Sequence, residues 1–342
     1  MARFCGATGS WKWDWAGARL CPDDRCTPRP SRPPGGWRWA GQLELVSSGP
    51  GTPDRGPRTP AVAGMFYPAN PDRLGGLVTT LLAGAAQVPR PDGASPEAVL
   101  GLLVPHAGLV YSGAVAALSW ALAGEIAPST IVLAGTDHQA SAAGVGVWTG
   151  GPWRTPLGDV AVDRELGLRI VGLGPPFETD EDAHLTEHSI EVQLPLLARA
   201  CPAARIVPLA VSPRLQTHAE AGALLGRLLA ECRAAGERVL LVASSDFAHY
   251  PPAPICEEVD DQLLAPLLEL DEEALGRLDW SLGAARLPGL VCGMCGIDPV
   301  RVVLSAVAEM GARRGLLLGK ATSADAGGDP RRTVGYAAAA FV

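Results

Sequence analysis

Lysine is almost missing from this chain, which contains only Lys12 and Lys320. Arginine brings the basic residues to 28, against 36 acidic residues, and the formal net charge is −8. The basic residues are scattered singly or in pairs, so no basic stripe is available to neutralise phosphates. Because nucleic-acid-binding proteins concentrate positive charge on one face, the sequence predicts no nucleic acid partner.

Cysteine is also sparse, with eight residues in a chain of 342. Small secreted scaffolds that depend on disulfides need a far higher density, so this class is excluded. Lys12, Asp14 and Arg19 interrupt the apolar run that a secretory signal peptide would need near the N-terminus. We therefore predict a reducing, cytoplasmic location.

One long segment, residues 98–124, lacks Asp, Glu, Lys and Arg altogether. It is long enough to span a membrane, and a transmembrane helix is one interpretation. The sequence Pro105-His106-Ala107-Gly108 divides it, however, into a Val/Leu-rich part and an Ala-rich part. A buried strand, a sharp turn and a helix account better for this pattern, so we expect no membrane span.

Residues 1–57 differ from the rest of the chain in composition. They hold five of the nine tryptophans and several runs rich in proline and glycine. Proline and glycine at this density oppose both helices and sheets, so we predict that residues 1–57 form a disordered N-terminal extension. Residues 58–342 have an ordinary globular composition and are predicted to form one domain.

Strands and helices alternate along the predicted domain. Short apolar runs predict strands at 98–104, 130–135, 205–210, 238–243 and 334–341, and longer segments predict helices at 112–123, 186–200, 218–235, 257–277 and 297–312. This alternation indicates the α/β class, with a single central sheet, largely parallel or mixed, flanked by helices.

Three of the six histidines, His106, His138 and His249, each follow a predicted strand by a few residues. The carboxyl ends of strands in an open α/β sheet face one crevice, where ligands bind. Each histidine alone is typical of a turn residue. Together they favour a shared metal site, because imidazole is the commonest metal ligand and Asp137 and Asp246 are available to orient the rings.

A second motif, His184-x-x-Glu187-His188, matches the inverted zincin pattern, in which two histidines hold zinc and a glutamate activates water. A zinc peptidase is therefore one hypothesis. The alternative is an N-terminal helical turn that Asp182 or Thr186 caps, with Glu187 favoured by the helix dipole. This short pattern arises often by chance, which favours the structural interpretation.

Cys292 and Cys295 form a single C-x-x-C pair. Such a pair is half of a zinc site or a redox pair, and no second C-x-x-C is present in the sequence. One thiolate joining the histidines is a simpler hypothesis than a site of four cysteines. For Cys292 a small buried apolar residue is the favoured interpretation.

Six ordered motifs resemble the Memo family, whose bacterial and archaeal members are called AmmeMemoRadiSam system protein B. They are residues 61–68 (AVAGMFYP), 104–108 (VPHAG), 153–158 (WRTPLG), 187–191 (EHSIE), 244–247 (SSDF) and 295–296 (CG). The resemblance covers about residues 59–342 and leaves the N-terminal extension outside. It implies a fold similar to that of class III extradiol dioxygenases, which are non-haem iron enzymes.

The resemblance also implies site residues and partners. The metal ligands would be His106, His138 and Cys295, and the pocket would be lined by Tyr111, His188, Asp246 and His249. In these roles His249 or His188 would donate or accept a proton, Asp246 would orient one of these groups, and Tyr111 would hydrogen-bond a substrate or oxygen. A radical-SAM protein and an AMMECR-type protein are the implied partners.

The implied ligand set differs from that of extradiol dioxygenases, which hold divalent iron with two histidines and one carboxylate. A soft thiolate in place of the carboxylate favours copper(I), zinc or iron of altered potential. We therefore expect iron or copper, with divalent iron favoured and zinc as a further candidate. Dioxygenase activity does not follow from the fold alone.

The leading hypothesis is a Memo-like metal-binding protein of the AmmeMemoRadiSam system that performs non-haem iron or copper redox chemistry on an unknown substrate. A non-catalytic module that binds a peptide or metabolite in the same pocket is the main alternative, because titratable groups can recognise as well as catalyse. The zinc peptidase remains a third hypothesis.

Overall fold

The computed structural model of the chain describes residues 56–342. The disordered extension expected for residues 1–57 therefore lies almost wholly outside the described residues. The strands are β1 (Gly101–Val104), β2 (Thr130–Thr136), β3 (Val145–Val147), β4 (Trp153–Thr155), β5 (Gly158–Val160), β6 (Phe177–Thr179), β7 (Arg205–Val211), β8 (Val239–Ser244), β9 (Gly315–Thr322) and β10 (Gly335–Phe341). The helices are α1 (Pro71–Ala85), α2 (Leu109–Ile126), α3 (Arg164–Val171), α4 (Leu194–Ala200), α5 (His218–Ala234), α6 (Ala253–Leu268), α7 (Glu272–Ala284) and α8 (Ile297–Glu309).

Within the described part of the chain, eight strands form one sheet in the order β6-β3-β7-β2-β8-β1-β10-β9, and β4 and β5 form a separate hairpin. The four central strands β7, β2, β8 and β1 are parallel. Strand β3 runs antiparallel to β7, and β10 runs antiparallel to both β1 and β9. The sheet is therefore mixed with a parallel centre, which confirms the predicted α/β class.

Two layers of helices bury the sheet from both sides. Along β2, Ile131 and Leu133 pack into one hydrophobic cluster, while Val132 and Ala134 pack into the other. Helices α1, α2 and α4 contribute to the first cluster, and α3 and α5 to α8 contribute to the second. Strands covered on both faces are apolar along their whole length, which explains the continuous apolar runs in β2 and β8.

The parallel pairing aligns the ends of the three innermost strands. Val104 at the end of β1 lies opposite Ser244 at the end of β8, and Ala134 in β2 lies opposite Ala243. The loops that follow these strands therefore leave the sheet at one edge, where open α/β sheets bind ligands.

Helix α2 follows β1 after a sharp turn, as predicted for residues 98–124. It is long and apolar enough to cross a membrane, but 67% of it is buried inside the fold. Its small residues, such as Gly113 and Ala117, allow close packing against α1 and the sheet. These contacts are those of a core helix.

The predicted strands all correspond to observed ones, namely β1, β2, β7, β8 and β10, but two predicted helices were wrong in part. Only residues 194–200 of the segment 186–200 are α-helical, because residues 185–190 form an irregular loop that precedes a short 3₁₀ turn. The segment 257–277 is divided between α6 and α7, since Leu270 adopts a left-handed backbone conformation with φ of 59°. Helices α1 and α3 and strand β9 were not predicted.

Candidate metal centre

A cavity of about 620 Å³ opens at the edge of the sheet where β1, β2 and β8 end. All seven residues that sequence reasoning singled out for the site contribute to its lining: His106, Tyr111, His138, His188, Asp246, His249 and Cys295. Phe66, Cys292 and Tyr336 also line it. Residues that are remote along the chain thus surround one space.

His106 is buried at the base of this cavity, and its hydrogen bonds determine its tautomer. Its Nδ1 lies 3.0 Å from the Ser244 hydroxyl, which donates its single hydrogen to the Ser189 carbonyl at 2.7 Å. The Ser244 oxygen must therefore accept a hydrogen from Nδ1, which leaves a lone pair on Nε2. Burial, with His188 and His138 nearby, holds the pKa of His106 well below its usual range, so the ring is neutral.

His138 is oriented by Glu187, which binds both its backbone and its ring. The Glu187 carboxylate accepts the His138 backbone N–H and the ring Nδ1–H, each at 2.9 Å. In the neutral form of His138, Nε2 therefore carries the lone pair. Burial lowers the pKa of His138, but the hydrogen bond and negative charge of Glu187 outweigh it and the pKa is raised. Although burial opposes it, His138, His188 and the Ser189 N–H together hold the pKa of Glu187 well below its usual range.

His188 completes a cluster of three imidazole rings. It stacks on His138 with ring centroids 4.7 Å apart, and it meets the His106 ring edge-on at 5.5 Å. Phe66 covers it with a centroid distance of 4.7 Å. Burial is the main cause that lowers the pKa of His188, and the neighbouring His138 contributes. His106 and His188 are therefore neutral more readily than an exposed histidine, whereas Glu187 favours the charged form of His138.

A buried ion pair fixes the loop that carries Glu187 and His188. Arg58 donates to the carbonyl of Glu187 at 2.6 Å, to the carbonyl of His184 at 2.7 Å and to the carboxylate of Glu191 at 2.7 Å. Glu191 also accepts the Tyr67 hydroxyl at 2.6 Å. Because both ions are fully buried, this loop has little freedom to move without leaving a charge unpaired.

Cys295 contacts the ring of His106. Its Sγ is 3.1 Å from Nε2 of His106, the nitrogen with the lone pair. Burial, helped by the nearby Asp246, raises the pKa of Cys295 well above its usual range, so the thiol is protonated and donates to His106. A bound metal would replace that proton, because a coordinating thiol is deprotonated outright. Cys292, favoured above as a buried apolar residue, is partly exposed and faces the same cavity.

Asp246 and His249 follow β8 and face the cavity from a third side. Asp246 Oδ1 accepts the backbone N–H groups of His106 at 2.8 Å and Ala107 at 3.1 Å, and burial raises its pKa. His249 donates Nδ1–H to the Phe247 carbonyl at 2.7 Å, so its Nε2 also carries a lone pair. Tyr111, 42% exposed, stands at the cavity mouth.

Among the described residues, two sets of three donor atoms lie within 4.8 Å of one another. One contains His106, His138 and His188, and the other contains His106, Asp246 and Cys295. The combination of His106, His138 and Cys295 that the resemblance implied is not one of these sets, because Cys295 groups with Asp246 instead of His138. Neutral imidazole, thiolate and carboxylate suit iron, copper or zinc, so the residues fit a transition-metal ion at His106, which both sets share.

The structure contradicts the inverted zincin interpretation. The His184 ring is buried between Trp148 and Trp153, and its Nε2 donates to the Gly146 carbonyl at 2.9 Å. Burial lowers its pKa to about 4. His184 therefore belongs to the packing behind the site and does not share a metal group with His188. The reason is local, since residues 184–188 do not form the helix that would place both rings on one face.

The roles of the acidic residues also differ from the predictions. Asp137 accepts the backbone N–H of Ala142 at 2.7 Å and shapes its own loop, so it orients no histidine ring. Asp246 binds the backbone of His106, whereas Ser244 binds its ring. Sequence reasoning quoted Ser244 and Glu187 within family motifs, but it gave Ser244 no role and gave Glu187 a catalytic role only in the zincin hypothesis. The position of Ser244 at the end of a strand next to β1 is the signal that could have found it.

Comparison with known proteins places these features in a family. The family model described as Memo-like protein matches residues 58–340. The chain belongs to the Memo family. A MEMO1 family protein of Ignicoccus hospitalis is 38% identical over 289 residues, which cover 83% of this chain and 98% of the relative. One from Methanocaldococcus jannaschii is 35% identical over 294 residues, covering 82% and 98%.

A solved structure was also found, that of an uncharacterized protein from Escherichia coli K12. It is 18% identical, covers 71% of this chain and 99% of its own, and has a TM-score of 0.44. The Memo match includes every residue described above for the metal centre, from Arg58 to Cys295.

Replacing Glu187 by Gln in this Memo-family protein should lower the pKa of His138. Glutamine retains the shape of the side chain and a hydrogen-bond acceptor for Nδ1–H, but it removes the negative charge that stabilises the protonated ring. Histidine titration by NMR in metal-free protein measures this pKa. An unchanged or raised pKa of His138 in Glu187→Gln would contradict the role of Glu187.

Proposed function

We propose that this Memo-family protein binds a redox-active metal ion through His106 and performs oxidation–reduction chemistry on a small or peptide-borne substrate. The observation that carries the proposal is the convergence of His106, His138 and His188 with their rings held neutral or oriented by carboxylate and hydroxyl groups. Neutral imidazole nitrogens with free lone pairs are the form that metals bind, and outer hydrogen bonds are what hold ligating rings in place. Cys295 supplies a softer donor next to them.

The donor types favour iron or copper over harder cations. Imidazole and thiolate prefer copper, zinc and iron, while magnesium and calcium prefer oxygen ligands. We favour divalent iron, because an imidazole set with an adjacent carboxylate is the donor type of non-haem iron sites, with copper next and zinc as a further candidate. Bound here, such an ion would supply electron transfer to or from a substrate or oxygen.

Residues around the imidazole ligands can bind substrate and move protons. His249 fixes its Nδ1–H on the Phe247 carbonyl, so Nε2 is the atom that would take a proton from a bound substrate. The Tyr111 hydroxyl at the mouth would hydrogen-bond the substrate. Asp246 is neutral more readily than a surface carboxyl, because burial raises its pKa, and it can hold a proton beside Cys295.

We propose a radical-SAM protein and an AMMECR-type protein as partners, on the support of the family resemblance, with a cytoplasmic location. The free thiols of Cys201, Cys232, Cys256, Cys292 and Cys295 support a reducing compartment. The alternative, a non-catalytic module that binds a peptide or metabolite, is favoured by the breadth of the same open cavity.

Turnover distinguishes these two functions. In the presence of both partner proteins, metal-loaded protein should consume oxygen or form product, and His138→Ala should abolish this. Binding of the partners without any turnover by the unaltered protein would instead support the binding module.

Metal content should separate the proposed site from a zincin. Protein purified anaerobically without a histidine tag should contain iron or copper by elemental analysis, and His106→Ala should lose most of it. His184→Gln is the matched control, because glutamine can still donate to the Gly146 carbonyl while removing the zincin ligand. Equal loss of metal from both variants would count against the proposal, as would negligible iron, copper and zinc in the unaltered protein.

Removing the Ser244 hydroxyl should weaken metal binding without removing a ligand. Ser244→Ala leaves the His106 Nδ1–H without its acceptor, and loss of such an outer partner typically costs about 10-fold to 100-fold in metal affinity. Competition with a chelator measures this affinity. Ser119→Ala is the control. This buried hydroxyl donates to the carbonyl of Leu103 in β1 and contacts no ring of the site. Equal affinities for the two variants would refute the orienting role.

A further inference from the structure

The mouth of the cavity carries one permanently positive side chain. Among the cavity-lining residues in the described part of the chain, Arg332 is the single arginine or lysine. It comes from the loop between β9 and β10, whereas His106, His138 and His249 come from the loops that follow β1, β2 and β8. A fixed positive charge therefore lines the same cavity as the candidate metal ligands.

The guanidinium of Arg332 is held by its face and leaves its edges available. Its Cζ lies 4.2 Å from the centroid of the Tyr250 ring, a stacked cation–π contact. The five N–H donors of a guanidinium form a planar fork that suits a carboxylate or phosphate. Within residues 56–342 its side chain forms no ion pair and no hydrogen bond.

The nearest acid on the same loop is already occupied. Asp329 also lines the cavity, but its carboxylate accepts the backbone N–H of Arg331 at 2.9 Å, its Nε–H at 3.1 Å and its Nη2–H at 2.9 Å. Asp246, the other carboxyl of the lining, accepts the backbone N–H groups that follow β1. Neither acid therefore supplies Arg332 with a partner.

The backbone holds Tyr250 in the position that this stacking needs. Tyr250 has φ of 71°, in the left-handed region where a bulky residue is strained by about 1–3 kcal/mol. Its N–H donates to the Thr333 carbonyl at 2.6 Å, which ties it to the loop that carries Arg332. On the other side its ring contacts that of His249 at 5.5 Å. The Tyr250 ring thus lies between the Arg332 guanidinium and His249, the proposed proton acceptor.

We propose that Arg332 binds an anionic group, a carboxylate or a phosphate, on the substrate of this site, while the rest of the substrate extends past Tyr250 toward His249 and the metal ligands. The inference rests on the proposed function, because it assigns the substrate class of the same cavity. Arg332 acts as a specificity residue: an analogue without the anion leaves the guanidinium edges unpaired and binds more weakly.

Three small probes of similar size test this. Benzoate and phenyl phosphate carry the two anions, and benzamide is the neutral counterpart of benzoate. Dissociation constants are measured by ligand-observed NMR with metal-free protein, so that direct binding of an anion to the metal does not contribute. At least one of the two anions should bind more tightly than benzamide. The anion that binds more tightly shows whether Arg332 prefers a carboxylate or a phosphate.

Arg332→Gln should raise the dissociation constant of the preferred anion about tenfold or more, as expected for loss of a charge-assisted hydrogen bond, and leave benzamide unchanged. Arg332→Lys should restore part of the affinity, because lysine keeps the charge but loses the planar fork. Arg277→Gln, at an exposed position of α7 outside the cavity, is the control with the same change in net charge.

Failure of both anions to bind more tightly than benzamide, no measurable binding of either anion, or an equal effect of Arg332→Gln and Arg277→Gln would overturn the inference. Elemental analysis of Arg332→Gln separates this result from the proposed function, since its metal content should match that of the unaltered protein. Loss of anion affinity with normal metal content supports the inference. If the unaltered protein binds no metal, the proposed function fails. The anion titration uses metal-free protein and still tests whether Arg332 binds an anion.

Discussion

Three parallel strands, β2, β8 and β1, end side by side at one edge of the sheet, and the loops that follow them carry His106, His138, Asp246 and His249. The pairing places Ser244 beside Val104. His106, two residues after Val104, then lies over the end of β8. A slip of one residue in this register would turn the Ser244 side chain to the other face of the sheet. The geometry of the site is therefore a consequence of strand packing, and the buried core on both faces of the sheet maintains it.

Positive charge is unfavourable in a buried cluster of histidines, and the groups that hydrogen-bond the rings determine which ring can carry it. Protonated rings 5 to 6 Å apart would repel one another, and burial opposes their charge further. The His106 ring remains neutral and donates its Nδ1–H to the Ser244 hydroxyl, whereas the Glu187 carboxylate stabilises the protonated form of His138. The two rings therefore differ in basicity although both expose Nε2. A metal ion would compete with a proton at His138, so metal binding should strengthen as the pH rises through the pKa of that ring.

The sequence was sufficient for the positions of the histidines but not for the groups that orient them. His106, His138 and His249 each follow an apolar run that predicts a buried strand, and the rule for open α/β sheets then brings them together. The loop around Glu187 followed no such rule. Its helix prediction failed because Glu187 binds backbone N–H groups of His188 and Ser189 locally, an alternative to helical hydrogen bonds that periodicity does not reveal. Cys295 was chosen over Cys292 through the family motif, since the C-x-x-C spacing alone does not say which thiol joins the histidines.

The Arg58–Glu191 pair explains why that irregular loop is nevertheless well placed. Burying two charges is costly, and an apolar pair of similar volume is often as stable, so a gain in stability is a weak explanation for its presence. What the pair provides is geometry. Arg58 reaches two carbonyls of the loop, and Glu191 accepts the backbone N–H groups of Ala61 and Val62. The chain before α1 and the loop before α4 are thereby joined behind the cavity, and Phe66 and His188, one from each, meet on its wall. The ion pair thus helps to position Phe66 and His188, although neither Arg58 nor Glu191 lines the cavity.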